Sequence, residues 1–274
     1  MLRNYQETSQ TLACLSTLNA VCLLDASDLS VSDCSRQLEM KQLLDLDRKW
    51  SLGMHQKGLK ISRFWLRALE YSGDGTFWLP VTAGIWLAPI IKNTELRRFL
   101  FNLFAAFVFD LIVIGLIKSI VQRPRPVYNK GMYVVLAVDR WSFPSGHSSR
   151  ALMIATLFLF YLPLWQDLMA RSVLPYLGEN ESFRSVGLPC LELILAPLSS
   201  LCVLVWAAAT ASSRVLLGRH YFFDVLVGSI LGVLEAAFVH KVLYVPGHFS
   251  EACHELLRLT AANIYSLVTA HLYY

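Results

Sequence analysis

The chain carries 274 residues, 55% of them hydrophobic and only 16% charged, with a mean hydropathy of +0.47. Soluble domains average about 25% charged residues, so this balance excludes an ordinary soluble protein and indicates a membrane one. The net charge of +4 suits an anionic bilayer or an anionic substrate; with no dense Lys/Arg stripe alternating with aromatics, it excludes a nucleic-acid binder.

Residues 1–47 read as a polar, loosely ordered N-terminal extension. Thr11–Leu24 is interrupted by Ser16, Thr17 and Asn19 and lacks a basic leader, so it is a weak amphipathic stretch rather than a secretory signal. Residues 48–71 set Arg48, Lys49, Lys57, Lys60, Arg63 and Arg67 beside Trp50, Leu59, Phe64, Trp65 and Leu69. Such a helix either lies in the membrane interface or packs on a bundle as a surface helix. Hydrophobic stretches follow at about 76–91, 99–117, 149–165, 188–211 and 225–245. Each approaches the roughly 20 residues that cross a hydrocarbon core, and unpaired backbone is not tolerated there, so these are helices. The expected fold class is all-α, a multi-pass transmembrane helical bundle of about five spans within a membrane domain at 48–246. Residues 166–187 form a polar insert, and 247–274 an amphipathic C-terminal tail.

Three polar patches interrupt the apolar pattern. Lys118-x6-Arg125-Pro126 closes the second stretch, where two prolines stop the helix. Pro144-Ser145-Gly146-His147 opens the third. Ser213-Arg214 closes the fourth, and His220-x3-Asp224 leads into the fifth. Because helix direction alternates, all three patches fall on one membrane face.

Two histidines, a carboxylate, a lysine and two arginines are a set for phosphoryl transfer without a metal. Lys118, Arg125 and Arg214 supply cationic donors for the charge gathering on phosphate oxygens, arginine through its planar fork. Ser145 and Gly146 precede a helix start, whose backbone N–H groups bind anions, and Gly146 permits close approach. In a helical segment His220 and Asp224 share a face; the carboxylate would fix the ring tautomer and free the other nitrogen to attack phosphorus. His147 would protonate the leaving oxygen and then activate water. Asp110 and Glu235 fall within spans, where ionisable groups face the bundle interior; hydrogen-bonded structural roles are expected. Arg123, Lys130 and Arg219 flank the patches and fit either a second phosphate or the bilayer. The cysteines Cys14, Cys22, Cys34, Cys190, Cys202 and Cys253 contain no C-x2-C pair, which argues against a disulfide framework or zinc site.

The patches resemble the signature of the type-2 phosphatidic acid phosphatase superfamily, which is related to vanadium-dependent haloperoxidases. Every signature position is filled: Lys118, Arg125, Pro126, Ser145, Gly146, His147, Ser213, Arg214, His220 and Asp224. Within that superfamily the chain looks most like the enzymes acting on polyisoprenoid diphosphates and phosphates, presqualene diphosphate among them. Tyr71-Ser72-Gly73-Asp74-Gly75, Asp110–Lys118 and Val138-Asp139-Arg140-Trp141-Ser142-Phe143 carry that likeness. The resemblance implies a helical bundle, a phosphohistidine intermediate, and no metal or other cofactor. The partners implied are the bilayer and a lipid phosphate or diphosphate.

The expected activity is therefore hydrolysis of isoprenoid diphosphates or monophosphates, with phosphatidate and sphingoid phosphates as further substrates. A lipid phosphotransferase and a non-catalytic scaffold are the alternatives. Basic residues gather on the motif face, which the positive-inside rule makes cytosolic, in the endoplasmic reticulum or nuclear envelope. The sequon Asn180-Glu181-Ser182 falls on the opposite face.

Overall fold

A computed structural model describes residues 31–129, 137–173 and 188–272. The chain divides into two compact units, Met1–Asp47 and Arg48–Tyr274. Residues 31–47, expected within a loose extension, are instead helical; they begin α1 (Val31–Gly58). The basic segment that follows is split rather than continuous, because α2 (Arg63–Ser72) starts only after a turn at Leu59–Ile61.

In the second unit Asp74 caps the start of α3 (Gly75–Leu87), accepting a hydrogen bond from the Thr76 backbone N–H at 2.9 Å. Asn93 caps α4 (Thr94–Val121) in the same way through Leu96. Helix α4 ends at Gln122, which takes the left-handed conformation with φ 50°. After a short 3-10 turn (Ala137–Arg140) come α5 (Gly146–Phe160) and α6 (Leu162–Val173), then α7 (Leu188–Leu216), α8 (Phe222–Lys241) and α9 (Gly247–Leu272). Among the described residues there is no strand, only an isolated bridge between Pro124 and Trp141.

Among the described residues, three helical segments are long and apolar enough to cross a membrane: α4, Pro197–Leu216 of α7, and α8. Helix α5 and the start of α6 (Leu162–Leu168) are together apolar and long enough for a fourth, broken span or a re-entrant pair, with a bend of 68° at Tyr161. Pro163 accounts for the bend, since its ring clashes with the carbonyl one turn back. The first expected span is corrected. Helix α3 has 13 residues, about 20 Å at 1.5 Å per residue, against a core of about 30 Å. It stops because Ala88 precedes Pro89 and is extended, with ψ 126°. The C-terminal segment packs on this end of the bundle: Trp86 Nε1 donates to Ser250 Oγ at 3.2 Å, and Arg97 pairs with Glu251 at 2.5 Å.

Helix α5 lies at the centre, between α7 and α8. Ala151, Ala155 and Ala207 are wholly buried, and their small size lets α5 and α7 approach. On α8, Gly228 and Gly232 are four apart, the small-residue spacing of close helix contacts in membranes. A Cβ on Gly228 would lie 2.4 Å from the Ser145 carbonyl oxygen, and one on Gly232 would lie 2.0 Å from that of Ser149. The expectation for the intramembrane acids holds. Asp110 is fully buried and accepts from Arg150 at 2.8 Å, while Glu235, 4% exposed, accepts from Ser149 Oγ at 2.9 Å. Aliphatic side chains such as Ile112, Leu116, Ile120, Ile230 and Leu234 stay exposed on the outer faces of α4 and α8, where lipid replaces water as solvent.

Candidate active site

Helices α4 and α7 end, and α3, α5 and α8 begin, at one end of the bundle. The polar patches therefore meet there, despite being up to about a hundred residues apart in the chain: Arg125 NH1 lies 3.1 Å from His220 Nε2, with |i−j| of 95.

His220 is 1% exposed. Its Nδ1 is 2.7 Å from the Ser142 carbonyl oxygen. A carbonyl can only accept, so Nδ1 carries the proton and Nε2 keeps its lone pair. Burial, then the charges of Arg125, Arg214 and Lys118, hold the imidazole well below its ordinary pKa, so it is neutral at physiological pH.

The expected Asp224–His220 hydrogen bond is not the one formed. Asp224 Oδ2 sits 3.8 Å from His220 Nδ1 and accepts instead from the Tyr221 backbone N–H at 2.9 Å. Its Oδ1 takes the Arg123 guanidinium at 2.6 Å, which also lies 4.1 Å over the Tyr221 ring. The reason is local. Helix α8 starts at Phe222, so His220 lies outside it, and Asp224 in the first turn is drawn to the free N–H groups there.

The cations are each held in place. Lys118, 4% exposed, bonds Asp139 at 2.9 Å. Arg125 donates to the carbonyls of Asp139 and Arg219 at 2.7–2.9 Å. Burial and the nearby Arg214 draw its pKa down to about 10, which leaves it cationic. Arg214, 1% exposed, bonds Glu70 at 2.6 Å, and its Nε is buried without an acceptor. Ser145 and Gly146 lie at the start of α5 as expected, but the Ser145 N–H is already spent on the Asp224 carbonyl at 3.0 Å. The amides left for an anion are thus those of the first turn of α5 itself. Gly146 fits tightly: a Cβ there would meet Arg150 at 3.2 Å and Ile114 at 3.3 Å. Ser213 donates to the Thr210 carbonyl at 2.6 Å, a helix contact.

The PAP2 superfamily model matches residues 99–246. The chain belongs to the PAP2 superfamily. It is 36% identical over 186 residues to the probable lipid phosphate phosphatase beta of Arabidopsis thaliana, covering 66% of this chain and 80% of that protein. A PA-phosphatase related-family protein of Dictyostelium discoideum is 30% identical over 62% of this chain and 58% of its own length. In three dimensions the chain is similar to the transmembrane PAP2-type phosphatidylglycerolphosphate phosphatase of Bacillus subtilis. That match has a TM-score of 0.52 and 20% identity over 82% of this chain and 93% of the other, a likeness of fold.

Two acidic residues of this PAP2 chain reach the site from outside the matched segment. Asp74 Oδ2 lies 3.5 Å from His147 Nε2, while its Oδ1 is fixed by the Thr76 backbone and hydroxyl at 2.9 Å each. Burial works to raise the Asp74 pKa, but the neighbouring His147 ring and the hydrogen bonds from Thr76 outweigh it and hold the group far below the usual carboxylate range. Glu70 binds both Arg214 and Arg219, the latter at 3.0 Å. Burial again opposes, and the two arginines keep Glu70 below its ordinary value. Asp74 stood inside a noted stretch, Tyr71–Gly75, but nothing in its spacing announced a contact 73 residues away. Glu70 reads as an ordinary surface position of a basic helix. Of the flanking cations, Arg123 and Arg219 serve Asp224 and Glu70; Lys130, Asn180 and most of the polar insert lie outside the described residues.

Proposed function

We propose that the protein is an integral-membrane lipid phosphatase that hydrolyses isoprenoid diphosphates and monophosphates, and also phosphatidate and sphingoid phosphates, through a phosphohistidine on His220. One observation carries the reading: an unprotonated Nε2, fixed by the Ser142 carbonyl, faces a guanidinium at 3.1 Å. A lone pair held among cations suits attack on an anionic phosphorus centre and little else.

The reacting phosphate sits against Lys118, Arg125 and Arg214, where the unmatched Arg214 Nε finds a phosphate oxygen. Nε2 attacks in line; the P–N bond forms as the P–O bond to the leaving group breaks, and His147 gives that oxygen its proton. Water then attacks the phosphohistidine, His147 takes a water proton, and the P–N bond breaks to release phosphate. The sum is lipid phosphate plus water giving lipid alcohol plus phosphate; a diphosphate loses its terminal phosphate first. Asp224, 3.8 Å from Nδ1, stabilises the ring when it becomes cationic as phosphohistidine. Asp74 is a positioning residue for His147: its carboxylate stands 3.5 Å from Nε2 and favours the ring when it carries the proton to be donated.

The basic residues Arg123, Arg125, Arg214 and Arg219 crowd the site end, and the positive-inside rule makes that end cytosolic, consistent with an endoplasmic reticulum or nuclear-envelope location.

The test is a panel assay of purified protein in detergent with farnesyl diphosphate, presqualene diphosphate, phosphatidate and sphingosine phosphate. Release of phosphate fastest from the isoprenoid diphosphates, blocked by vanadate and insensitive to EDTA, is expected. No release from any lipid phosphate would refute the reading. Asp74→Asn, which keeps the cap on α3 but removes the charge, is expected to lower kcat by up to about 100-fold with KM little changed, and to displace the basic limb of the kcat–pH profile. A variant with an unaltered pH profile would leave Asp74 as a helix cap alone.

A further inference from the structure

Behind the catalytic cradle lies a second basic cavity, of about 330 Å³, that the reaction above does not use. Arg63, Arg67 and Arg219 line it together with His55, Leu59, Leu217 and Tyr128, and among the described residues no acidic side chain does. Its wall is built tightly. The His55 ring stacks on Tyr128 at 4.6 Å and donates from Nδ1 to the Leu216 carbonyl at 2.9 Å. Gly218 has φ +79°, and a Cβ there would strike Tyr128 at 2.8 Å and His55 at 3.0 Å, so this position needs glycine.

Two of the three cations of this cavity are not balanced from within. Arg219 is buried on Glu70 and Asn129. Arg63 and Arg67, by contrast, are exposed and have no hydrogen bond or ion pair among the described residues. They are four apart on α2, so they face the same way and repel until an anion comes between them. The same helix shows Phe64 and Trp65 to the outside, 69% and 66% exposed, as an element at headgroup depth does. Two forked guanidiniums at that depth match a phosphate oxyanion.

We propose that this cavity is a second phosphate-binding site, which holds a phosphate group other than the one being transferred. Its occupant comes from one of two sources: the headgroup of a resident anionic phospholipid, or the remote phosphate of a diphosphate substrate. Through Arg219 and Glu70 the occupant touches the ion lattice that holds Arg214, so filling the cavity sets the geometry of the cradle. The substrate arm of the test rests on the proposed phosphatase activity; the lipid arm does not.

Two arms decide it, on the full-length protein with Arg63→Gln/Arg67→Gln and a control pair, Lys57→Gln/Lys60→Gln, which removes equal charge from exposed α1 and turn positions outside the cavity. In the first, native mass spectrometry measures phosphatidylglycerol retained from mixed micelles, against phosphatidylcholine. A resident lipid is supported if the arginine pair weakens retention by about 30-fold, the equivalent of two basic contacts, and the lysine pair does not. In the second, KM is measured for farnesyl diphosphate and farnesyl phosphate. A rise for the diphosphate alone in the arginine variant, without lipid retention in the parent, assigns the site to the substrate's own second phosphate. Equal retention and equal KM in parent, arginine and lysine variants would overturn the proposal, as would equal losses from both pairs. If the parent turns over no substrate, the phosphatase reading fails separately and the retention arm still decides the cavity.

Discussion

Replacing His220 by Asn is expected to reduce phosphate release by on the order of 10⁴-fold or more and to eliminate acid-trapped phosphoenzyme. Asn at 220 can still donate to the Ser142 carbonyl, which the imidazole meets at 2.7 Å, so the loop keeps its shape. What it lacks is a nucleophilic nitrogen beside Arg125. His147→Asn leaves that nitrogen in place and removes the proton donor; phosphoenzyme should then form slowly and persist. Measured turnover in the His220 variant near that of the parent would remove the nucleophile from the mechanism. The same variant carries a stability signature. The folded His220 pKa is depressed below the ordinary value of about 6.5, so its neutral form is the favoured one. Stability from this source is complete above about pH 6.5 and declines as pH falls, because the unfolded chain takes up a proton that the fold resists. The decline has a limit of about 1.4 kcal/mol per pH unit for one group. Melting temperatures between about pH 7.5 and pH 5 should thus fall less steeply in His220→Asn than in the parent.

The second large effect is mechanical. Gly232→Ala adds one methyl group at a point where the Cβ would stand 2.0 Å from the Ser149 carbonyl oxygen and 3.0 Å from the Met153 nitrogen. Backbone cannot step aside as a flexible side chain can, so α8 must lift from α5. Overpacking of this kind costs roughly 1–3 kcal/mol, and the lift carries Asp224 away from the Ser145 N–H it binds through its carbonyl. Gly84→Ala in α3 is the matched control, because nothing lies within 4 Å of its added Cβ. There the helix should gain about 0.5–1 kcal/mol from the stiffer residue. Thermal unfolding in detergent separates the two: opposite signs are expected, and equal shifts would mean that the α5–α8 contact is looser than the distances require.

These two sites also show where the sequence was informative. Helix ends at Val121 and Leu216 and helix starts at Gly146 and Phe222 could be read from prolines, small residues and apolar run lengths, and they brought Lys118, Arg125, His147, Arg214 and His220 to one end of the bundle. The partner of His220 could not be read so. Spacing of four residues suggested Asp224, but a main-chain carbonyl at Ser142 holds the ring, and carbonyls leave no trace in a side-chain pattern. Asp74 and Glu70 were silent for another reason: a carboxylate in a polar turn and one on a basic helix look solvated until tertiary contact turns them inward. The apolar run at 76–91 approaches span length, but its hydropathy carried no information that Ala88 and Pro89 end the helix early. Apolar length gives a span only when the backbone stays regular along it.

The contact of Gly228 with the Ser145 carbonyl has a further consequence. His147 and His220 are carried by segments whose main chains touch, so no side-chain hinge stands between the two rings. The anvil on which the ester is struck is cast in one piece with the transbilayer scaffold. On the reading proposed above, preference for one headgroup over another falls instead to the rim, beside Arg123 and along α2.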